Sequence, residues 1–106
     1  MKFIFTSRKC NVGDNIKEYA EKKLGKLDKF FTEDCIMNVL FTLEKENFCR
    51  VEATIDYQGI IFRAQETTRE FKESIDKIVD VLVRQIRKHK TKLEKRLRNS
   101  DFIFED

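Results

Sequence analysis

Apolar residues recur along this chain with two different periods, and the changes of period divide it into six elements. Phe3 and Phe5 alternate with Lys2, Ile4 and Thr6, which predicts a short strand ending at the polar turn Ser7-Arg8-Lys9. Asp14 then stands where it can cap a helix. At about 100° per residue, Ile16, Ala20, Leu24, Leu27 and Phe31 fall on one stripe, so this helix spans roughly four turns and faces the core along it. Lys22, Lys26 and Lys29 form a basic row on another arc of the same helix.

From Cys35 the period becomes two. Cys35, Met37, Val39, Phe41 and Leu43 line one face of a strand, and Cys49, Val51, Ala53, Ile55 and Tyr57 one face of the next after the turn Glu44-Lys45-Glu46-Asn47, so two antiparallel strands share a buried face. A tight turn at Gln58-Gly59 leads to a fourth strand with Ile60, Phe62 and Ala64 inward and Ile61, Arg63 and Gln65 outward. Thr67 and Glu70 have capping-box spacing and open a long helix. Its apolar stripe runs through Phe71, Ile75, Ile78, Val79, Leu82, Ile86, Leu93 and Leu97, within about 100° of arc.

The order β-α-β-β-β-α leaves little topological freedom. A right-handed crossover makes the first two strands parallel, and two hairpins make the fourth parallel to the second. The fold class is therefore α+β: a four-stranded mixed sheet with two parallel helices packed side by side on one face, a dsRBD-like arrangement. The outward sheet face would carry Asn38, Leu40, Thr42 and Glu44 beside Arg50, Glu52, Thr54 and Asp56. That mixture, without clustered aromatics, is a poor platform for stacking single-stranded bases.

Length and composition fit this picture. At 106 residues the chain forms one domain, taken as 1–98, with 99–106 as a tail or the start of a linker. With 39% charged residues, its surface must be densely charged. No apolar run approaches the roughly 18 residues of a membrane span, and Met1 leads straight into a strand, so a cytoplasmic location without membrane contact is expected. Cys10, Cys35 and Cys49 lack paired spacing and read as reduced, small apolar side chains. If Leu43 pairs with Cys49, Cys35 lies opposite Tyr57, which argues against a Cys35–Cys49 disulfide.

Charge changes the picture most. Between Arg84 and Arg98 eight Lys or Arg face a single Glu, whereas elsewhere 14 basic residues face 18 acidic ones. On the polar arc of the long helix, Glu73, Asp76 and Asp80 come first and Arg84, Arg87, Lys88, Lys92, Lys95 and Arg98 follow. If the helices run parallel, the Lys22, Lys26, Lys29 row lies beside the Arg84 to Lys95 row. Two converging cationic rows suit phosphate and shape recognition of structured RNA.

The run Glu21-Lys22-Lys23-Leu24-Gly25-Lys26-Leu27-Asp28-Lys29-Phe30-Phe31, the strand end Arg63-Ala64-Gln65-Glu66, the pair Ile75-Asp76 and the run Arg84-Gln85-Ile86-Arg87-Lys88-His89-Lys90 resemble the ribosome hibernation promoting factors, the group that includes ribosome-associated inhibitor A. The resemblance covers about residues 1–98. It implies a domain that lodges in the mRNA and tRNA channel of the small ribosomal subunit, contacts 16S rRNA, inhibits translation and keeps 70S ribosomes idle in stationary phase or stress. Carried over by position, the implied rRNA contacts are Lys22, Lys26, Lys29, Arg84, Arg87, Lys88, Lys90 and Lys92.

The chain departs from the family pattern just after Phe71, at Lys72 and Glu73-Ser74, all expected on the helix exterior. Long family members continue through a linker into a second domain that dimerises ribosomes, and the stretch Asp101 to Asp106 is similar to the start of such a linker or to the tail of the inhibitor subgroup.

Two other readings fit the same residues: a general structured-RNA-binding domain, and a protein-interaction module using Leu93 and Leu97 at the end of the long helix. An enzyme is disfavoured. His89 is the lone histidine, Glu18, Glu21 and Asp28 sit at helix-surface spacing, and Gly13, Gly25 and Gly59 form no phosphate-cradling loop. No catalytic residue, metal or cofactor is expected.

Overall fold

Strands with one apolar and one polar face can bury only the apolar one, so the chain stacks both helices on that side. The computed structural model describes residues 1–32 and 34–100, with side chains described as far as His89. It contains β1 (Lys2–Arg8), α1 (Asp14–Leu24), a 3-10 turn (Gly25–Phe30), β2 (Ile36–Leu43), β3 (Cys49–Tyr57), β4 (Ile60–Thr68) and α2 (Phe71–Ser100). The sheet order is β1-β2-β3-β4, with β1 and β2 parallel and the remaining pairs antiparallel. Leu43 pairs with Cys49, the register that sets Cys35 apart from Cys49. α2 includes Asn99 and Ser100, and Asp101 to Asp106 lie outside the described residues.

The core lies between the sheet and the helices. Met37, Val39 and Phe41 of β2 and Val51, Ala53 and Ile55 of β3 are almost wholly buried, against Ala20, Leu24 and Leu27 below and Ile75, Ile78, Leu82 and Ile86 of α2. Phe41 meets the ring of Phe71 edge-on at 5.6 Å and stacks with Phe5 at 6.0 Å, so one side chain joins β1, β2 and the start of α2. At the β3–β4 hairpin Gln58 and Gly59 take φ of 53° and 80°, the left-handed pair that a two-residue turn needs. Cys10, Cys35 and Cys49 are free thiols. Burial pushes the Cys35 and Cys49 thiols above their ordinary range, which disfavours the reactive thiolate.

Four local expectations need correction. The first helix does not run unbroken to Phe31: the α-helix stops at Leu24 and tightens into the 3-10 turn. Residues three apart eclipse in 3-10 geometry, so the tightening keeps Leu27 under Leu24 in the core. Asp14 does not cap α1; the Gly13 carbonyl accepts from Ile16 and Lys17 at 3.1 and 3.3 Å, and Asp14 contributes its charge in the first turn.

The Thr67–Glu70 capping box does not form either, because Thr67 belongs to β4 and points outward. Its neighbour Thr68 instead accepts from the Glu70 N–H at 3.3 Å, and the Glu70 carbonyl accepts from Ser74 N–H at 3.1 Å. Finally, Ser74 is not on the helix exterior. It is fully buried, donates its hydroxyl to the Cys49 carbonyl at 2.7 Å, and lies 2.8 Å from Thr68 Oγ1. A small hydroxyl is what the junction of β3, β4 and α2 requires there. Lys72 and Glu73 are exposed, as expected.

Removing the Ser74 hydroxyl would strip these buried partners. Ser74→Ala should cost about 1–3 kcal/mol in urea unfolding, whereas Lys72→Ala next to it should change stability by no more than about 0.5 kcal/mol.

Candidate nucleic-acid interface

The basic rows sit where the two helices meet, and named contacts fix the seam. The Tyr19 hydroxyl of α1 donates to Asp76 of α2 at 2.8 Å, its other carboxylate oxygen lying at 3.0 Å. Eleven residues further along each segment, the ring of Phe30 has Lys29 Nζ 5.4 Å and Arg87 Cζ 6.0 Å from its centroid. Both contacts advance in the same direction along the chain, so the helical segments run parallel. The acidic start of α2 therefore lies beside α1, and its basic portion beside the 3-10 turn.

Lys22 stands in the last turn of α1, while Lys26 and Lys29 lie on the 3-10 turn; all three are exposed. Arg84, Arg87 and Lys88 are exposed on α2. The direct junction between the rows is Lys29 with Arg87 across Phe30, while Lys22 and Lys26 extend the first row away from it. The side chains of Lys90 and Lys92 lie outside the described residues. Among the described residues, ion pairs between side chains gather on the outer sheet face, joining Arg50 to Glu44 and Glu52 and Arg63 to Glu52. None of them neutralises Lys22, Lys26, Lys29, Arg84 or Lys88.

Three residues that charge reasoning passes over position this seam. Gln85 Nε2 donates to the Arg63 carbonyl at 2.8 Å and its Oε1 accepts from the Arg63 N–H at 3.2 Å. This side chain thereby satisfies both main-chain groups of one residue on the edge strand β4, and ties the basic part of α2 to the sheet. Tyr19 and Phe30 are the other two. Lys23 and Lys72 also approach the Tyr19 ring, at 5.4 and 5.3 Å. The signal available in sequence was one neutral amide inside a basic run and two aromatic residues beside the apolar stripe, and neither reports a partner.

At the sheet end beneath the junction, Phe31 packs on Tyr57 at 4.7 Å and on Phe62 at 6.1 Å, and His89 meets Phe62 edge-on at 5.8 Å. His89 thus packs α2 against β4. Among the described residues no group of three His, Cys, Asp or Glu is placed to hold a metal ion, and no helix is long and apolar enough to cross a membrane. The arrangement places exposed cations along a helix seam, and clustered charge of this kind raises the local potential for anions.

Fold and seam together define a small α+β domain with exposed cations on its helix face. Residues 3–94 match the model of the family described as Sigma 54 modulation protein / S30EA ribosomal protein, and the chain belongs to that family. It is 34% identical over 102 residues to a ribosome hibernation promotion factor of Lactococcus lactis subsp. cremoris, covering 94% of this chain and 55% of that protein. It is 30% identical over 90 residues to a ribosome hibernation promotion factor of Staphylococcus aureus, covering 83% of this chain and 47% of the relative. The chain thus spans about half the length of these curated relatives.

The crystal structure of the Thermus thermophilus Protein Y N-terminal domain superposes with a TM-score of 0.76 at 28% identity, over 84% of this chain and 99% of that one. A ribosomal subunit interface protein from Coxiella burnetii gives 0.74 at 20% identity, over 86% and 99% of the two chains, a likeness of fold alone.

The seam has one titratable marker. The Asp76 carboxylate, by accepting the phenol proton, pushes Tyr19 above its ordinary pKa of 10.0, and burial acts in the same direction. Because the folded state holds this proton more tightly than the unfolded chain, the stabilisation is complete below pH 10 and is lost as pH rises through the folded value. Tyr19→Phe should therefore lose less stability than the parent chain on going from pH 9 to above pH 10, as measured by denaturant unfolding at each pH.

Proposed function

We propose that this domain binds the small ribosomal subunit in the mRNA and tRNA channel, through 16S rRNA, and thereby inhibits translation and holds 70S ribosomes idle in stationary phase or stress. The observation that carries the reading is the junction of Lys29 and Arg87 on Phe30, which merges two cationic rows into one surface on a domain of this family. Lys22, Lys26, Lys29, Arg84, Arg87, Lys88, Lys90 and Lys92 are the proposed rRNA contacts. They act on phosphates, which position a protein on RNA, and the rigid helix pair supplies the shape that fits a folded RNA groove.

Inhibition on this account is steric. A domain seated in the channel excludes mRNA and tRNA, with no covalent step, cofactor or metal, so the protein works as a non-catalytic factor in the cytoplasm. Residues 1–98 form the ribosome-binding unit, and 99–106 are a tail or the beginning of a linker. On the linker reading, a following domain of the kind that would account for the greater length of the relatives brings two ribosomes together.

Co-sedimentation with purified small subunits in sucrose gradients tests this. Binding is expected at low salt, with affinity falling about 10³–10⁵-fold between 50 and 200 mM salt if roughly 6–10 phosphates are neutralised. A variant with charge reversal at Lys26, Arg84, Arg87 and Lys88 should stay folded and lose binding. Equal binding by that variant, or no binding at low salt, contradicts the proposal; equal affinity for an unrelated structured RNA favours a general RNA-binding domain.

A further inference from the structure

The outer face of the sheet carries a second polar feature, on the side away from the helices. Arg8, Thr42, Arg50 and Thr67 are successive partners across β1, β2, β3 and β4, and form one row over the whole sheet. Their neighbours Phe41, Cys49, Val51 and Thr68 point to the core, so this row points outward. A surface depression lies over it, lined also by Lys9 and Lys45.

Thr42 is unusual for an outward strand residue, being only 7% exposed. Its Oγ1 is buried and has no hydrogen-bond partner, and the same is true of Nε of Arg50 beside it. The rest of the Arg50 guanidinium is engaged: Nη1 lies 3.3 Å from Glu44 and Nη2 3.1 Å from Glu52. Burying polar groups without partners is costly, and adjacent unsatisfied groups call for an acceptor that the protein does not supply.

We propose that this row is a phosphate site: a rotation of the Thr42 and Arg50 side chains turns the buried Oγ1 and Nε into the depression, a phosphoryl oxygen seated over Thr42 accepts from both, and the exposed Arg8 guanidinium neutralises the group from the neighbouring strand. Lys9 and Lys45 add charge at the rim. The carboxylates Glu44 and Glu46 also line the depression. They restrict the site to a small anion that reaches the donors over Thr42, rather than an extended polyanion lying along the sheet. The ligand is a phosphate ester, either a free nucleotide phosphate or one phosphodiester of an RNA strand. This site is independent of the helix seam and of the ribosomal reading.

Titration of the isotope-labelled full chain, followed by amide NMR, tests the site with inorganic phosphate, adenosine monophosphate and a short oligouridylate as separate probes. Shifts are expected at residues 8–9, 42–46, 50 and 65–67, and Thr42→Val and Arg8→Gln should each weaken binding about tenfold. Thr42→Val should fold at least as stably as the parent, since its hydroxyl has no partner to lose. Should it fail to fold, Arg8→Gln, an exposed change, carries the test. Charge reversal at Lys26 and Arg87 should leave these shifts unchanged. Response to phosphate and the mononucleotide alone assigns a free phosphate ester, and a stronger response to the oligonucleotide assigns an RNA phosphodiester. No shift at these residues with any probe, or unaltered binding by the folded variants, overturns the proposal.

Discussion

The structure depends on a sheet that can be buried on only one face. Inward positions of β2, β3 and β4 are Met37, Val39, Phe41, Val51, Ala53, Ile55, Phe62 and Ala64, whereas the outward positions mix polar and apolar residues with the charges of Arg50, Glu52, Asp56 and Arg63. Both helices must therefore share the inner face and lie beside one another. Their adjacency then brings the lysines that follow α1 next to the arginines of α2. Charge on two segments more than 50 residues apart in sequence becomes one surface because a hydrophobic constraint leaves it no other arrangement.

That surface is held in place mostly by neutral or aromatic groups. Gln85 clamps α2 to the edge strand, Tyr19 joins α1 to Asp76, and Phe30 stands between Lys29 and Arg87. Exposed ion pairs contribute little to stability, and the described ones between side chains lie on the outer sheet. The core and its clamps thus set the geometry of the seam, beside which Lys22, Lys26, Lys29, Arg84 and Lys88 are exposed. The gradient along α2, acidic near Asp76 and basic from Arg84, matches the helix dipole.

Much of this was legible in the sequence, because period-two and helical stripes report burial directly. The pairing of Leu43 with Cys49, assumed in reading the sequence, is the one the sheet adopts, and it keeps the apolar side chains of both strands on one face, which a one-residue slip would not. The family resemblance carried by the runs around Lys26 and Arg87 matches the family found for residues 3–94. What failed depended on neighbours distant in sequence. The change to 3-10 geometry after Leu24 conserves the burial of Leu27, and periodicity cannot tell it from one more α-helical turn. Ser74 read as exterior because its burial depends on the Cys49 carbonyl, 25 residues away. The row of Arg8, Thr42, Arg50 and Thr67 needed the register of all four strands at once.

The central claim is that the seam between the helices faces rRNA inside the small-subunit channel. A cryo-EM reconstruction of this chain bound to small subunits tests it most directly. The account predicts density for the domain in the mRNA and tRNA channel, with the segments holding Lys22 to Lys29 and Arg84 to Lys88 against rRNA. A domain bound elsewhere on the subunit, or seated in the channel with the helix pair turned away from rRNA, would contradict it.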